Sequence, residues 1–224
     1  MARYALALVH PLTTLKRVLP GVMDSKLLEK GSLEAGHSRL RGTAHPEVSQ
    51  PPAKLTLIEI IDEKKRQILL IRNAEGISRG RWNGLGGKVE EGETPLQAVK
   101  REVFEESGLK VKSFMYHGAL TVFLGGAVSP SFILYVFSSR EYSGRLKADG
   151  HNDLRWFSLD ALPSLSMWQD DCVWLPYVLS NRRWVSGNFE FGPDNLLRVA
   201  EIVPLKEGED FPEKVRRSIG ILAE

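Results

Sequence analysis

The sequence is poor in cysteine, in long apolar runs and in net charge. Cys172 is the only cysteine among 224 residues, which excludes an internal disulfide and a structural zinc site and favours a reducing compartment. No apolar run approaches the roughly 20 residues that cross a bilayer, so no membrane partner is expected. The 30 basic and 28 acidic side chains leave a formal net charge of +2. This is too little to indicate a nucleic-acid polymer as the main partner.

The chain does contain one patterned region between two less regular segments. Residues 1–53 hold no acidic residue before Asp24 and end in a stretch rich in Gly, Ser, Pro and Ala, which predicts an N-terminal extension and linker. We expect a cytoplasmic protein, with the mitochondrial matrix as the alternative if the basic start is a transit peptide. Apolar patterning predicts a domain over 54–205 and a C-terminal helix within 206–224.

The apolar periods within these segments predict an α/β fold. A hairpin is expected from two β-like runs, and a second hairpin from residues 182–191, which would turn at Ser186-Gly187-Asn188. The first hairpin consists of the predicted strands 55–62 and 66–72. The other predicted strands lie at 111–125, 131–139, 154–159 and 196–205. The predicted helices lie at 94–107, 167–180 and 211–223, the last capped by Asp210.

The helix over 94–107 has a start signal and a stop signal. Thr94 and Gln97 match a capping box, Pro95 suits the first helical position, and Gly108 suits a left-handed C-cap. At about 100° per residue, three apolar side chains share one stripe that should face the sheet. These side chains are Leu96, Val99 and Val103.

The same helix carries three carboxylates on a neighbouring stripe. Glu102 and Glu106 are one turn apart, and Glu105 lies beside them. A solvated helix face usually pairs Glu with Lys at this spacing, and an uncompensated Glu–Glu pair costs a few tenths of a kcal/mol. A divalent cation would make the cluster favourable, and Mg²⁺ or Mn²⁺ suits such hard oxygen ligands. The spacing therefore favours a metal site over a solvated face.

Glycines before the helix suit the approach of a phosphate chain. Gly84, Gly86 and Gly87 allow a tight turn and close backbone contact. They do not form a P-loop, since Lys88 is followed by Val89 rather than Ser or Thr.

Together these residues resemble the Nudix box. Gly87, then Glu93, then the run 101–109 (REVFEESGL) match its fixed positions. The resemblance implies a Nudix fold, a mixed β-sheet sandwiched between helices, with a loop–helix–loop that holds Mg²⁺ against a pyrophosphate. It implies that Glu102, Glu105 and Glu106 are metal ligands and that Glu93 and Arg101 brace the loop. A cation there would neutralise phosphate charge and lower the pKa of an attacking water.

The flanks of the box are similar to the MutT-related oxidised-purine nucleoside triphosphatases, the 8-oxo-dGTP diphosphatases of animals above all. The similarity includes RWNGLGGK at 81–88 and MWQDDCVWLPYVLS at 167–180. It implies that Trp168 stacks on a purine and that Asp170 and Asp171 contact the edge of the base, with one of them protonated. The other substrate-binding residues expected are Asn83, Thr56, Gly86, Gly87 and Lys88.

Three positions depart from that pattern. The additional metal-side glutamate falls at His151, with Asp149 and Asp153 as possible substitutes, and two pocket positions carry Asn73 and Ile77 instead of lysine and phenylalanine. The preferred oxidised base is therefore open.

The expected activity is Mg²⁺-dependent pyrophosphohydrolysis of 8-oxo-dGTP or 2-hydroxy-dATP, by a monomer that sanitises the nucleotide pool. One alternative is a Nudix hydrolase of another nucleoside diphosphate derivative such as ADP-ribose. The other is a Nudix module that binds nucleotides without turnover.

Overall fold

The computed structural model describes residues 51–147 and 153–221. The strands of this part are β1 (Ala53–Asp62), β2 (Gln67–Arg72), β3 (Trp82–Asn83), β4 (Lys110–Val111), β5 (Met115–Phe123), β6 (Phe132–Ser139), β7 (Tyr142–Ser143), β8 (Asp153–Ser158), β9 (Trp184–Phe191) and β10 (Leu197–Pro204). Its α-helices are α1 (Pro95–Ser107), α2 (Asp171–Leu179) and α3 (Glu213–Ile219), and a 3-10 turn spans Ser164–Ser166.

Helix α1 begins and ends where its sequence predicts. The Thr94 hydroxyl accepts from the Gln97 amide at 3.3 Å, and the Gln97 side chain accepts from the Thr94 amide at 2.8 Å. At the other end Gly108 takes a left-handed conformation with φ 74°, and its amide donates to the Phe104 carbonyl. These caps satisfy backbone groups that a helix end otherwise leaves unpaired.

A mixed sheet connects these elements. Its order is β10-β9-β5-β6-β1-β2-β3, with β8 paired to β2 as well. Strands β1 and β6 run parallel, as do β5 and β9, and the other pairs in this sheet are antiparallel. Strands β4 and β7 form a separate two-stranded ladder. The predicted hairpin of β1 and β2 is confirmed.

Helices cover both faces of the sheet. Side chains alternate along β1, so neighbouring residues of this strand pack against different helices. Leu57 and Ile61 belong to a buried cluster that includes Trp174, Leu175 and Val178 of α2. Ile58 and Ile60 belong to a second cluster with Val99 and Val103 of α1 and Ile219 of α3. The expected sheet between helices is confirmed.

The predicted hairpin within 182–191 is wrong. Residues 184–191 form the continuous strand β9, and Gly187 lies inside it. A Cβ at Gly187 would lie 2.6 Å from Cδ2 of Leu120 on β5, so the glycine permits close strand packing rather than a turn. The chain turns instead between β9 and β10, where Asn195 has φ 58°.

Other boundaries also differ from the predictions. Asp210 does not cap α3: Pro212 is the N-cap residue, while Asp210 accepts from the Phe211 amide and from Arg183. Helix α2 begins at Asp171 rather than at 167, and the run 111–125 divides into β4 and β5. No helix in the described part of the chain is long and apolar enough to cross a membrane.

Candidate active site

The glycine segment before α1 is held against β1 by backbone hydrogen bonds. Ile58 and Leu85 exchange bonds of 2.8 and 3.1 Å, and the Thr56 amide donates to the Gly87 carbonyl at 2.8 Å. The Thr56 hydroxyl also reaches that carbonyl, at 3.4 Å. This pairing fixes the glycines on the sheet beside the carboxylates of α1.

The glycines touch those carboxylates directly. The Gly86 amide donates to Oε2 of Glu106 at 2.9 Å. A Cβ at Gly87 would lie 2.5 Å from Oε1 of Glu102, closer than any side-chain atom tolerates. Gly87 therefore leaves room for the Glu102 carboxylate, and Gly86 holds the Glu106 carboxylate through its amide.

Arg101 ties the carboxylate segment together. Its Nε and Nη2 donate to the two oxygens of Glu93, both at 2.9 Å. Its Nη1 donates to Glu102 at 2.8 Å and to Glu105 at 3.2 Å, and Nη2 also donates to the Lys88 carbonyl at 3.0 Å. The bonds from Arg101 to Glu93, together with one from the Glu90 amide, hold the pKa of Glu93 down, to about 2. This bidentate geometry would let Arg101 brace the segment through Glu93, and that role stays a prediction.

Glu106 differs from its neighbours because its carboxyl group is desolvated. Burial raises its pKa to about 8; the charges of Glu102 and Glu105 add to the rise, and the Gly86 amide opposes it. Such a group gains its charge readily only beside a positive charge.

The described residues contain no group of three or more His, Cys, Asp or Glu side chains already arranged around a metal position. The three glutamates of α1 do not converge on one point, because Glu102 and Glu105 bond to Arg101 while Glu106 bonds to Gly86. The donor set still suits a hard divalent cation, because three carboxylates lie on adjacent turns and one is desolvated. The assignment of these glutamates as metal ligands stays a prediction.

A second acidic site lies at the start of α2, where Asp170 and Asp171 are both buried. Oδ2 of Asp170 accepts from the Trp174 indole at 3.2 Å, and Oδ2 of Asp171 accepts from the Trp168 amide at 3.0 Å. Burial raises the pKa of Asp170 to about 6. Burial also raises the pKa of Asp171 well above its ordinary range, helped by the charges of Asp170 and Glu59. The prediction that one aspartate stays protonated agrees with these directions.

Arg81 lies beside the predicted pocket residues, although it was not itself predicted from the sequence. Its guanidinium carbon lies 4.3 Å from the Trp168 ring centre, and Nη1 donates to the Met167 carbonyl at 3.0 Å. The buried Asn83 amide donates to the Arg81 carbonyl at 3.4 Å. The charge of Arg81 also opposes the rise in pKa at both aspartates. The sequence signal that could have identified Arg81 is its position in the RWNG run at 81–84, within the stretch that resembles the MutT-related enzymes.

Some of the positions that depart from the family pattern lie in the described part of the chain, and others lie outside it. Asp153 forms an ion pair with Arg155 at 2.8 Å, whereas Asp149 and His151 lie outside the described residues. Asn73 closes its loop through backbone bonds to Gly80 and Arg81. The side chain of Ile77 is exposed, and so is that of Lys88.

Known proteins are similar to this chain in sequence and in fold. The chain is 35% identical over 138 residues to the oxidized purine nucleoside triphosphate hydrolase of Danio rerio, covering 61% of this chain and 85% of that protein. It is 35% identical over 137 residues to the protein of the same name from Mus musculus, with the same coverage of 61% and 85%. The MutT protein of Bacillus halodurans superposes with a TM-score of 0.59 at 28% identity, covering 70% of this chain and 99% of that structure.

The NUDIX domain family model matches residues 52–178, from the start of β1 almost to the end of α2. That span includes the braced carboxylate segment of α1 and the buried aspartates of α2. On this match, the chain belongs to the Nudix hydrolase family.

Proposed function

We propose that this Nudix hydrolase cleaves oxidised purine nucleoside triphosphates, 8-oxo-dGTP or 2-hydroxy-dATP, to the monophosphate and pyrophosphate. The observation that carries the substrate class is the buried pair Asp170 and Asp171 beside Trp168, with both pKa values raised. The names of the two vertebrate relatives support the same class.

The buried pair suits the edge of an oxidised purine. Two adjacent carboxyl groups in a desolvated site share protons, so that one donates a hydrogen bond while the other accepts. Oxidation of a purine changes the donors and acceptors at its edge, and such a pair discriminates by satisfying or failing those groups. Trp168 offers a ring for stacking, and Asn83 offers an amide from the β3 side.

The segment from Asn83 to Lys88 connects base recognition to the phosphate end. It leads from Asn83 to Gly86, whose amide contacts Glu106. Gly86 and Gly87 let the backbone approach a phosphate chain. We assign Glu102, Glu105 and Glu106 to Mg²⁺ or Mn²⁺, which would supply charge neutralisation at the phosphates and activation of water. Arg101 and Glu93 keep these glutamates in place.

We propose that the protein acts as a monomer on free nucleotides rather than on a nucleic-acid polymer, and that it sanitises the nucleotide pool. We place it in the cytoplasm, with the mitochondrial matrix as the alternative.

Initial rates on four substrates test the proposal. 8-oxo-dGTP, 2-hydroxy-dATP, dGTP and ADP-ribose are each compared with Mg²⁺ and with EDTA. We expect the highest kcat/KM for one of the oxidised purine nucleotides, release of pyrophosphate, and no turnover in EDTA. The matched variants are Glu106→Gln, in the proposed metal set, and Glu207→Gln, which makes the same change at an exposed glutamate.

Faster turnover of ADP-ribose than of either oxidised nucleotide would exclude the proposed substrate class while leaving Nudix hydrolysis intact. Equal rates in EDTA and in Mg²⁺ would exclude the proposed metal role. Nucleotide binding without turnover of any of the four would instead support a non-catalytic module.

A further inference from the structure

One buried acidic residue belongs neither to the carboxylate segment of α1 nor to the aspartate pair at the start of α2. Glu59 lies in the middle of β1 and is 1% exposed, among apolar neighbours. By the alternation of β1, its side chain lies on the same face as Leu57 and Ile61. That face packs against α2, the helix that begins with the two buried aspartates.

Two neighbours relate Glu59 to the residues of the proposed base pocket. On one side, a Cβ at Gly84 would lie 2.8 Å from its Oε1, and Gly84 follows Asn83 directly. On the other side, Glu59 lies close enough to Asp171 that its charge, when it ionises, raises the pKa of Asp171. Arg81 is the cation that faces Asp170 and Asp171. From β6, the register partner of Glu59 is Ser138, whose hydroxyl contacts His117 and Arg140.

The carboxyl group of Glu59 is incompletely satisfied. Its Oε2 is buried and has no hydrogen-bond partner among residues 51–147 and 153–221. A buried oxygen without a partner costs about 1–3 kcal/mol, so a purely structural role would favour an apolar side chain at this position. Burial also raises the pKa of Glu59 to about 8, which makes the neutral acid the main form at pH 7.

We propose that Glu59 is a third base-recognition residue. Its neutral carboxyl group donates a hydrogen bond to a carbonyl oxygen of the bound purine and accepts one from the adjacent ring N–H. A carboxylic acid and such a lactam edge are complementary, since each offers one donor and one acceptor side by side. This inference rests on the proposed function, because it needs a purine in the pocket formed by Asn83, Trp168 and Asp171.

Binding of the proposed product tests the role without depending on turnover. Isothermal titration with 8-oxo-dGMP in EDTA is compared for the parent, Glu59→Leu, Glu59→Gln and Glu201→Leu. The last variant makes the same apolar change on strand β10. We expect Glu59→Leu to weaken binding about 5- to 150-fold, the loss expected for two neutral hydrogen bonds. We expect it also to keep or raise Tm, because it removes an unsatisfied buried oxygen. Glu201→Leu should bind like the parent.

The amide variant supplies a readout that a packing role would not move. Glu59→Gln still donates and accepts, so its affinity at pH 7 should stay within about twofold of the parent. From pH 7 to 9 the parent should lose affinity as Glu59 ionises, whereas Glu59→Gln should lack that component. The titration of the ligand is common to both proteins and cancels in the comparison.

Unchanged binding by Glu59→Leu, or the same pH dependence in the parent and in Glu59→Gln, would overturn the role of Glu59. If Glu59→Leu does not fold, the pH comparison with Glu59→Gln decides. A parent that binds 8-oxo-dGMP no more tightly than dGMP would overturn the proposed function itself, and the inference with it. A parent that prefers 8-oxo-dGMP, together with an unaffected Glu59→Leu, would overturn only the inference.

Discussion

Replacement of Gly87 by alanine tests whether the position of the Glu102 carboxylate controls turnover. Gly87 has no positive φ, so alanine fits its backbone, but the new Cβ would lie 2.5, 2.6 and 2.9 Å from Oε1, Cδ and Oε2 of Glu102. Ordinary contacts are about 3.5–4.0 Å, so the carboxylate must move by roughly 1 Å. It would then leave its 2.8 Å bond with Arg101.

The expected effect falls on turnover rather than on stability. A misplacement of about 1 Å in the reacting geometry, here through a proposed metal ligand, costs on the order of 10²-fold in rate. The lost ion pair costs about 0–1 kcal/mol, and Gly→Ala at an unstrained position returns about 0.4–1 kcal/mol. We therefore expect kcat to fall about 10²-fold while Tm stays within about 4 °C, at about 2–4 °C per kcal/mol for a chain of this size.

Gly86→Ala is the matched control, because it makes the same change one residue earlier. Gly86 has φ +145°, and its Cβ would overlap the Thr56 carbonyl group on β1. Backbone strain of this kind costs about 1–3 kcal/mol before the overlap is counted, so we expect Tm to fall by several degrees or more. Circular dichroism melts and initial rates are measured for both variants. A Gly87→Ala protein that keeps parental kcat, or melts as low as Gly86→Ala, would refute the reasoning.

Four other substitutions each test the role of one side chain. Glu106→Gln keeps the shape but removes a charge, so kcat should fall at least about 10²-fold with an unchanged circular dichroism spectrum; near-parental kcat would remove Glu106 from the metal set. Trp168→Ala should lower kcat/KM about 5- to 150-fold through KM, the effect of about 1–3 kcal/mol of base stacking; a fall in kcat alone would contradict stacking. Arg101→Lys cannot bond Glu93 with two nitrogens, so rates should fall while Tm changes little, and parental rates would exclude the bracing role. Burial lowers the pKa of His117 to about 4 from an ordinary 6.5, so its neutral form stabilises the fold above pH 6.5. That stability is lost as pH falls towards 4, by up to about 1.4 kcal/mol per pH unit. The Tm of His117→Gln should therefore fall less between pH 7 and 5 than that of the parent, and parallel Tm curves would contradict this.

Helix α1 and its carboxylates could be predicted because their determinants are local. The capping pair spans Thr94 to Gln97, and Gly108 bonds back to Phe104. The glutamates follow from helix spacing alone. Contacts of this range are contained in the sequence pattern, so the structure confirmed both ends of the helix.

Strand β9 could not be predicted in the same way, since its conformation depends on distant residues. Ser-Gly-Asn is a turn signal in isolation. In the structure Gly187 pairs with Leu120 of β5, and the lack of a Cβ lets Leu120 pack against it. The choice between turn and strand is thus made by a neighbour more than 60 residues away in the sequence. The true turn, at Gly192 to Leu196, closes with a 2.9 Å backbone bond.

The pocket residues could be predicted from the sequence only in part. Trp168, Asp170 and Asp171 came from the family resemblance, but Arg81 and Glu59 did not. Glu59 left one local signal, a single acidic residue inside the apolar run TLIEIID. A run of that kind also fits an edge strand with one solvated side chain, and only the fold places β1 in the interior of the sheet.

The two acidic clusters show why residue identity alone does not give the chemistry of a carboxyl group. In α1, Arg101 bonds to three glutamates, and its hydrogen bonds hold the pKa of Glu93 at about 2. Burial raises the pKa of Glu106 on the same helix to about 8, so this carboxyl group gains its charge readily only beside a cation. Near α2, Arg81 opposes the rise in pKa of Asp170 and Asp171, yet burial outweighs it and both rise. Neutral acids donate hydrogen bonds, which suits a base edge. Charge spacing along a helix reveals the first kind of cluster, whereas the second kind depends on burial, which only the folded chain determines.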